Sequence, residues 1–301
     1  MNATTIPSPS TAIPMGTSVA PRTARSAKSL RRVLPGFGLS LGFALTYLSL
    51  LVLIPLAALF LRAAGLGVDG IVRELASARV QHALVLSFGG ALAAAAVNTV
   101  FGTLIAWTFV RYEFPGKRLF HAMIDLPFAL PTAVAGIALT ALYSPHGWLG
   151  APLAQLGIKV AYTQAGIIVA MVFIGLPFVV RTLEPVLEDA EKQLEEVAAT
   201  LGATRLQTIV HIILPEVLPA LLTGAALAFA RAVGEYGSII FIAGNVQNVS
   251  EIAPLLIMIR LDEFNYAGAT ALAAAMLALS FVVLFAINAM QAWSRRHESM
   301  A

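Results

Sequence analysis

Six long apolar runs dominate this chain and decide which folds are open to it. They are residues 36–61, 84–110, 121–143, 166–180, 218–243 and 267–290. A helix needs about 20 apolar residues to cross the hydrocarbon core of a bilayer, and the fourth run, the shortest, needs its flanks to complete a crossing. The runs are continuously apolar rather than alternating, which indicates helices instead of barrel strands. The sequence therefore predicts an all-α integral membrane protein with six transmembrane helices.

The composition agrees with this class and excludes several kinds of chemistry. Only 12% of the residues are charged, whereas soluble domains carry about 25%. The absence of cysteine excludes disulfides and thiolate metal sites. The sequence contains no G-x4-G-K-[ST], H-E-x-x-H or G-x-S-x-G motif, and its five histidines are scattered. We expect no enzymatic activity, no ATP, cofactor or metal bound by this chain, and no nucleic-acid partner.

Basic residues set the expected orientation in the bilayer, because cytoplasmic loops are enriched in Lys and Arg. With a cytoplasmic amino terminus, the inside segments hold thirteen such residues and the outside segments five. The inside residues are Arg22, Arg25, Lys28, Arg31, Arg32, Arg111, Lys117, Arg118, Arg181, Lys192, Arg205, Arg295 and Arg296, and the outside residues are Arg62, Arg73, Arg79, Lys159 and Arg260. Both termini are therefore expected in the cytoplasm.

The two ends of the chain differ from its membrane part. Residues 1–34 are rich in Ser, Thr, Pro and Ala and contain no acid, which favours a disordered cytoplasmic tail. An organelle transit peptide has a similar composition and remains an alternative, whereas a cleaved signal peptide would have a shorter apolar region. We expect a permeation domain over residues 35–293 and a cytoplasmic tail over residues 294–301.

One amphipathic segment lies between the fourth and fifth runs, EEVAATLGATRLQTIVHIILP at residues 195–215. Apolar residues recur there at i, i+3, i+4 and i+7, which predicts one face of a helix. That stripe is Leu194, Val197, Ala198 and Leu201, and the opposite face carries Glu191, Lys192, Glu195 and Glu196. Gly202 suggests a bend that needs a positive φ or close backbone approach. A second helical stretch, 203–213, is expected to run to Pro215.

A short amphipathic helix held between two membrane spans suits docking into a groove on a soluble partner. A helix lying on the membrane surface is the alternative reading. The acids of this segment disfavour it, since surface helices are rich in Lys and Arg.

The same segment resembles the EAA loop of ABC-importer permeases, E-A-A-x3-G-x9-I-x-L-P. The matching residues are Glu196-Val197-Ala198, Gly202 and Ile212-Ile213-Leu214-Pro215, with Val197 departing from the usual Ala. In that family the loop forms a coupling helix that sits in a cleft of the ATPase subunit. The resemblance thus implies a coupling loop over residues 182–215. Its coupling residues would be Glu195, Glu196, Val197, Ala198, Leu201, Gly202, Ala203, Ile212, Leu214 and Pro215.

Four further stretches, residues 31–42, 114–139, 178–189 and 234–245, resemble the T-type permease subunits of bacterial sulfate/thiosulfate importers. Tyr236 departs from the Phe more usual there. The resemblance implies a type I ABC-importer permease fold in the bacterial inner membrane. It also implies a second permease subunit in a heterodimer, two ATPase subunits holding ATP and Mg, and a periplasmic sulfate/thiosulfate-binding protein.

Ionisable residues at membrane depth are functional candidates, since each is costly to bury in lipid. Arg231 and Glu235 stand four apart in the fifth run and are expected to pair. They could form a structural ion pair or line an anion path, where the planar fork of Arg suits an oxyanion. Asp125 is expected either to cap the third span or to lie on that path.

Prolines within the runs are expected to kink the spans. Pro127 and Pro131 in the third run and Pro177 in the fourth each remove a backbone hydrogen bond. A pore-lining kink and a packing kink both remain open for the third span. The small residues of 89–102 predict close helix packing.

Two alternatives to the sulfate/thiosulfate reading remain. A permease for molybdate or another oxyanion would share the motifs. A membrane enzyme would need clustered catalytic groups, which the sequence lacks, and a stand-alone channel would not need the docking loop.

Overall fold

The computed structural model describes the backbone of residues 37–190 and 192–298 and the side chains of residues 37–190 and 195–289. The predicted amino-terminal tail, 1–34, lies outside these residues. So do Glu191 and the side chains of Lys192 and Leu194, which were assigned to the amphipathic helix.

The described residues are helical, joined by turns. The helices are α1 (Phe37–Leu48), α2 (Ile54–Ala64), α3 (Gly67–Leu75), α4 (Ala78–Arg111), α5 (Lys117–Ala129), α6 (Thr132–Tyr143), α7 (Gly150–Gln155), α8 (Gln164–Asp189), α9 (Lys192–Thr200), α10 (Arg205–Thr208), α11 (Leu214–Val233), α12 (Ile239–Ile242), α13 (Ala253–Asp262) and α14 (Tyr266–Glu298), with π-helical turns at Ser49–Leu53 and Ile209–Ile213. The chain forms two compact units, residues 1–54 and 55–301. In the first unit, the described residues form α1 and the first π-helical turn.

Five described helical segments are long and apolar enough to cross a membrane. They are Phe37–Ala64, Ala78–Arg111, Gln164–Asp189, Arg205–Val233 and Tyr266–Ala289. They correspond to five of the six predicted runs. The fourth run, predicted at 166–180, is completed by its flanks in the 26-residue α8. At the carboxyl end, α14 continues to Glu298, five residues into the expected tail.

The third run, predicted as one span at 121–143, does not form a single straight helix. It forms α5 and α6, which are bent by 117° at Leu130–Pro131. The sequence explains the break, because proline forces the preceding residue out of the helical region. Leu130 accordingly has φ −86° and ψ 136°, and α6 starts after Pro131. Pro127 is accommodated inside α5.

The core of the second unit is a three-helix packing of α4, α8 and α11. Small residues bring these helices together, and Ala91, Ala94 and Ala95 are buried. A Cβ built on Gly102 would lie 2.8 Å from Cγ1 of Val179, so α8 packs directly against the α4 backbone. The predicted close packing of residues 89–102 is confirmed. Pro177 is buried inside α8, in the same core.

The fifth run ends earlier than predicted. The run 218–243 was assigned to one span, but α11 ends at Val233 and a turn precedes the short α12. Gly234 and Gly237 lie in the turn, and a Cβ at Gly237 would lie 2.2 Å from Oγ1 of Thr132. Glycine is needed there because α6 packs against this turn.

Candidate functional site

The carboxyl end of α9 is a Schellman turn built on Gly202. The Gly202 N–H donates to the carbonyl of Ala199 at 3.1 Å, and the Ala203 N–H donates to that of Ala198 at 3.0 Å. This pair of bonds satisfies the last carbonyls of a helix and needs a left-handed residue. Gly202 has φ +85°, so the positive φ predicted from the sequence is confirmed.

The next helix begins immediately with a capping box. The Oγ1 atom of Thr204 accepts from the Gln207 N–H at 3.4 Å, while Oε1 of Gln207 accepts from the Thr204 N–H at 2.8 Å. Thr204 and Gln207 thereby satisfy each other's backbone donors at a helix start. The Schellman turn that ends α9 is followed directly by the capping box that starts α10. These local interactions therefore fix the angle between the two helices. We call residues 200–205 the elbow.

The exposed face of α9 carries apolar side chains beside the elbow, together with the acid Glu196. Val197 is 54% exposed and Leu201 is 82% exposed, and beyond the elbow Leu206 is 70% exposed. A Cβ added to Gly202 would find no atom within 4 Å. The elbow therefore presents an open apolar surface rather than a packed one.

The predicted division of α9 into an apolar and a charged face needs correction. Ala198, assigned to the same stripe as Val197 and Leu201, is buried. Glu195, assigned to the opposite face, lies three residues before Ala198 and contacts Arg111 of α4. Residues three apart share a helix face, so Glu195 and Ala198 face the helix bundle while Val197, Leu201 and Glu196 are exposed.

Residues 212–215, the last part of the motif, lie within a helix and do not end one. The expected stop at Pro215 is wrong, because the segment Arg205–Val233 is helical throughout. A π-helical turn precedes the proline, and the Leu214 N–H bonds to the Ile209 carbonyl, five residues back. Proline has no N–H to donate, and the wider turn falls where that donor is missing. Ile212 is half-buried, Ile213 is buried, and Leu214 and Pro215 are exposed.

Most of the expected coupling loop, 182–215, is helical. The α8 helix continues through Arg181 and Glu184 to Asp189, and α9, α10 and the second π-helical turn follow. The bounds of the coupling loop stay a prediction.

A cleft of about 510 Å³ lies between the end of α4 and the elbow. Its lining includes Trp107, Arg111, Glu195, Glu196, Ala203 and Arg205. Arg111 is the last residue of α4, and its side chain is only 9% exposed. Sequence reasoning counted Arg111 only as an inside charge, since nothing local pairs it with a residue 84 positions away.

Arg231 and Glu235 form an ion pair, as predicted from their spacing. The Nη1 atom of Arg231 lies 2.7 Å from Oε2 of Glu235. Glu235 is buried, and its other oxygen accepts from the N–H and the hydroxyl of Ser238 at 2.9 and 3.0 Å. Arg231 keeps 34% of its side chain exposed. The two residues are not on one continuous helix, however, because Glu235 lies in the turn after α11.

Asp125 does not cap a helix, which corrects one of its two predicted roles. It lies inside α5, whose amino-terminal cap is Gly116. Its carboxylate receives two hydrogen bonds from Arg181 of α8, and Arg181 also donates to Glu184 at 2.8 Å. The second predicted role of Asp125, a place on the anion path, stays a prediction.

The two breaks in the membrane helices meet. The break at Leu130–Pro131 starts α6, and the turn after α11 contains Gly237 and Ser238. A Cβ at Gly136 of α6 would lie 2.4 Å from the Ser238 carbonyl oxygen. Irregular backbone at membrane depth is tolerated only inside protein or beside water, and these breaks cover each other.

Comparison with known protein families shows which family this chain belongs to. Residues 98–297 match the family model described as the binding-protein-dependent transport system inner membrane component. This chain belongs to that family. Its members are transport components of the inner membrane, so the chain is a multi-pass membrane protein of a transport system.

Curated relatives match over nearly the full length. The sulfate transport system permease protein CysT of Salmonella typhimurium is 49% identical, over 88% of this chain and 96% of that protein. The protein of the same name from Escherichia coli is 48% identical, with the same coverage of 88% and 96%. The one from Synechococcus elongatus is 51% identical, over 85% of this chain and 92% of that protein.

Solved structures show the same fold. A chain of a bacterial alginate ABC transporter, in complex with an alginate pentasaccharide-bound periplasmic protein, superposes with a TM-score of 0.69. That chain is 17% identical, and the match covers 84% of this chain and 92% of that one. A second structure, of a bacterial ABC transporter involved in the import of alginate, superposes with a TM-score of 0.65 at 18% identity. The match covers 86% of this chain and 94% of that one. The predicted ABC-importer permease fold is confirmed.

Proposed function

We propose that this chain is a membrane-spanning permease subunit of an ATP-driven importer that carries sulfate and thiosulfate across the bacterial inner membrane. Relatives about half identical over nearly their whole length are named sulfate transport permeases, which supports the substrate. Thiosulfate is the same kind of tetrahedral dianion. The chain carries out no covalent step in this proposal, and ATP with Mg is bound and hydrolysed by separate subunits.

One structural observation carries the proposal. The segment Arg205–Val233 forms 29 residues of helix, about 43 Å at 1.5 Å per residue. One end is the elbow, and the other carries Arg231, which is paired with Glu235. A helix of this length joins the docking surface to the charged pair at the far end of α11, so a shift of the elbow is transmitted along it.

The partners follow from the apolar face of α9. Val197 and Leu201 are exposed around a backbone fixed by Gly202, and a short apolar helix face suits a groove on a soluble protein. In our proposal the groove belongs to an ATPase subunit, and two such subunits serve this chain and a second, different permease subunit. A periplasmic binding protein delivers the anion. In our proposal both termini of this chain lie in the cytoplasm, which the Lys and Arg bias supports.

The energetic role of the chain is to couple two sites. ATP binding closes the ATPase subunits and draws the α9 helices of the two permeases together. The bundle then changes between states open to either side of the membrane, which requires a coupling free energy shared by the ATP and anion sites. Arg231 and Asp125, with Pro127 and Pro131 at the broken span, are the residues that we assign to the path.

Reconstitution of the complete importer tests this function. The two permeases and the ATPase are placed in proteoliposomes with ATP on the ATPase side and radiolabelled sulfate with its binding protein on the other. We expect sulfate uptake that requires both ATP and the binding protein, and that unlabelled thiosulfate inhibits. Uptake inhibited by molybdate but not by thiosulfate would assign the chain to another oxyanion instead, and uptake without ATP would exclude an ATP-driven importer.

A further inference from the structure

The contact between Arg111 and Glu195 joins α9 to the membrane bundle by charge. The Nη2 atom of Arg111 lies 2.6 Å from Oε1 of Glu195. Among the described side chains, this is the ion pair that links α9 to another helix. Glu195 belongs to the first turn of α9 and is 30% exposed, so the contact is made at the shielded face of that helix.

Arg111 is held in place by its own helix. Its guanidinium carbon lies 5.3 Å from the ring centroid of Trp107, one turn earlier on α4. A guanidinium over an indole face is attracted by the ring quadrupole. Since α4 packs along α8 and α11, a force on Arg111 acts on one of the three helices of the bundle core.

The geometry of the contact is that of two charges rather than a formed hydrogen bond. None of the three guanidinium nitrogens of Arg111, nor Oε1 of Glu195, has a hydrogen-bond partner among the described residues. Buried donors without acceptors are costly, and a buried charge is strongly destabilised when its partner is removed. Arg111 therefore favours positions of α9 that keep Glu195 near it.

We propose that Arg111 is a positioning residue through which α9 moves α4, with Glu195 as its contact on α9. The inference rests on the proposed function, because it assumes that α9 is the helix moved by the ATPase. It adds a second route to the one through the elbow. Movement of α9 reaches α11 along the chain and reaches α4 through this ion pair, so these two helices of the core shift together.

The test uses the reconstituted importer with all partners and three variants of this chain. Glu195→Gln and Arg111→Met each remove one charge. Glu188→Gln is the matched control, since Glu188 is an exposed acid at the end of α8 that forms no ion pair among the described side chains. For each we measure ATPase retained per permease, ATP turnover stimulated by the loaded binding protein, and sulfate carried per ATP.

We expect Glu195→Gln and Arg111→Met to retain the ATPase but to lose about fivefold or more in stimulated turnover and in sulfate per ATP, the lower end of typical coupling factors. Glu188→Gln should match the unsubstituted chain. Full stimulation and full stoichiometry in both charge-removing variants would overturn the proposal. Failure of the proposed function is distinguishable, because the unsubstituted importer would then move no sulfate.

A covalent replacement of the ion pair provides a second measurement. The chain has no cysteine of its own, so Arg111→Cys with Glu195→Cys introduces one thiol pair. A short bis-thiosulfonate reagent should bridge the pair and raise stimulated turnover above that of the untreated variant. Treatment of either single-cysteine variant with the same reagent should not raise its stimulated turnover. Bridging without any recovery of stimulated turnover would contradict a positioning role.

Discussion

Arg181 of α8 forms a bidentate ion pair with Asp125 of α5. The Nε atom donates to Oδ1 at 2.9 Å and Nη2 donates to Oδ2, while Nη1 donates to Glu184 at 2.8 Å. Nδ1 of His121 lies 3.3 Å from the second oxygen of Glu184. This cluster connects α5, the first half of the broken span, to the long α8 helix. Its α5 residues precede the break at Leu130.

The first prediction concerns the Arg181–Asp125 pair. Because Asp125 and Arg181 are 44% and 38% exposed, solvent screens their attraction. We therefore expect a double-mutant cycle with Asp125→Asn and Arg181→Gln to give a coupling energy of about 1 kcal/mol in the free energy of unfolding. Denaturation of the four purified proteins in detergent measures it. A coupling energy near zero would mean that the bidentate geometry contributes nothing to stability.

The second prediction concerns the packing of the two helix breaks. A Cβ at Gly136 would lie 2.4 Å from the Ser238 carbonyl oxygen, which is backbone and cannot rotate away. Gly136→Ala should destabilise the protein by about 1–3 kcal/mol or more, as overpacked cores do.

Gly89→Ala is its matched control. Gly89 is also helical, and a Cβ there meets no atom within 4 Å. This variant should be neutral or gain up to about 1 kcal/mol from helix propensity. Thermal unfolding of both variants compares them, and equal melting temperatures would contradict the close contact between α6 and the turn after α11.

The third prediction separates the roles of Arg231. If Arg231 binds the anion, Arg231→Lys keeps the charge but loses the planar fork, and sulfate uptake should fall while the complex still assembles. Glu235→Ala should harm assembly more, since Glu235 is 2% exposed and accepts three hydrogen bonds. The double variant Arg231→Ala with Glu235→Ala should be milder than Glu235→Ala alone, because no unpaired charge remains. Normal uptake by the double variant would exclude Arg231 from the anion path.

The fourth prediction concerns topology. If the bent pair α5–α6 crosses the bilayer, the chain has six crossings and both ends lie on one side; if the pair is re-entrant, it has five. The distribution of Lys and Arg favours six with both ends in the cytoplasm. A reporter that is active only in the periplasm should be silent when fused after Ala301. Full activity of that fusion would require five crossings.

Local signals explain which features could be read from the sequence. Long apolar runs marked five helices, because lipid leaves the backbone no alternative to helix, but their bounds were missed by up to 13 residues, at the start of Arg205–Val233. Gly202 marked the positive φ, since other residues are strained there. Thr204 with Gln207 fits the capping-box pattern of a helix start, a local signal that the sequence interpretation missed. The sharp break at Leu130 was signalled by Pro131, yet its 117° angle depends on how α6 packs against residues 237–238.

Long-range contacts could not be read in this way. Arg181 pairs with Asp125, which is 56 residues away in the sequence, and Arg79 pairs with Glu251, which is 172 residues away. No local pattern distinguishes these arginines from the other inside and outside charges. The inward turn of Glu195 was missed for the same reason, because helical spacing gives the faces of α9 but not which face meets the bundle.

The fifth prediction tests the elbow through a pair of nearly isosteric substitutions. Asn tolerates the left-handed region better than most residues, and Gly202 has φ +85° with open space around its missing Cβ. Gly202→Asn should therefore fold and dock with modest loss. Gly202→Asp has the same shape but adds a negative charge beside exposed Val197 and Leu201.

The proposed coupling is tested most directly by comparing Gly202→Asp with Gly202→Asn. ATP turnover stimulated by the loaded binding protein and the amount of ATPase retained per permease are measured for both. We expect normal membrane levels of both variants, with ATPase retention and stimulation lost in Gly202→Asp and largely kept in Gly202→Asn. Full retention and full stimulation in Gly202→Asp would contradict the proposed coupling, and would mean that α9 and the elbow lie on the membrane surface instead of coupling the permease to an ATPase.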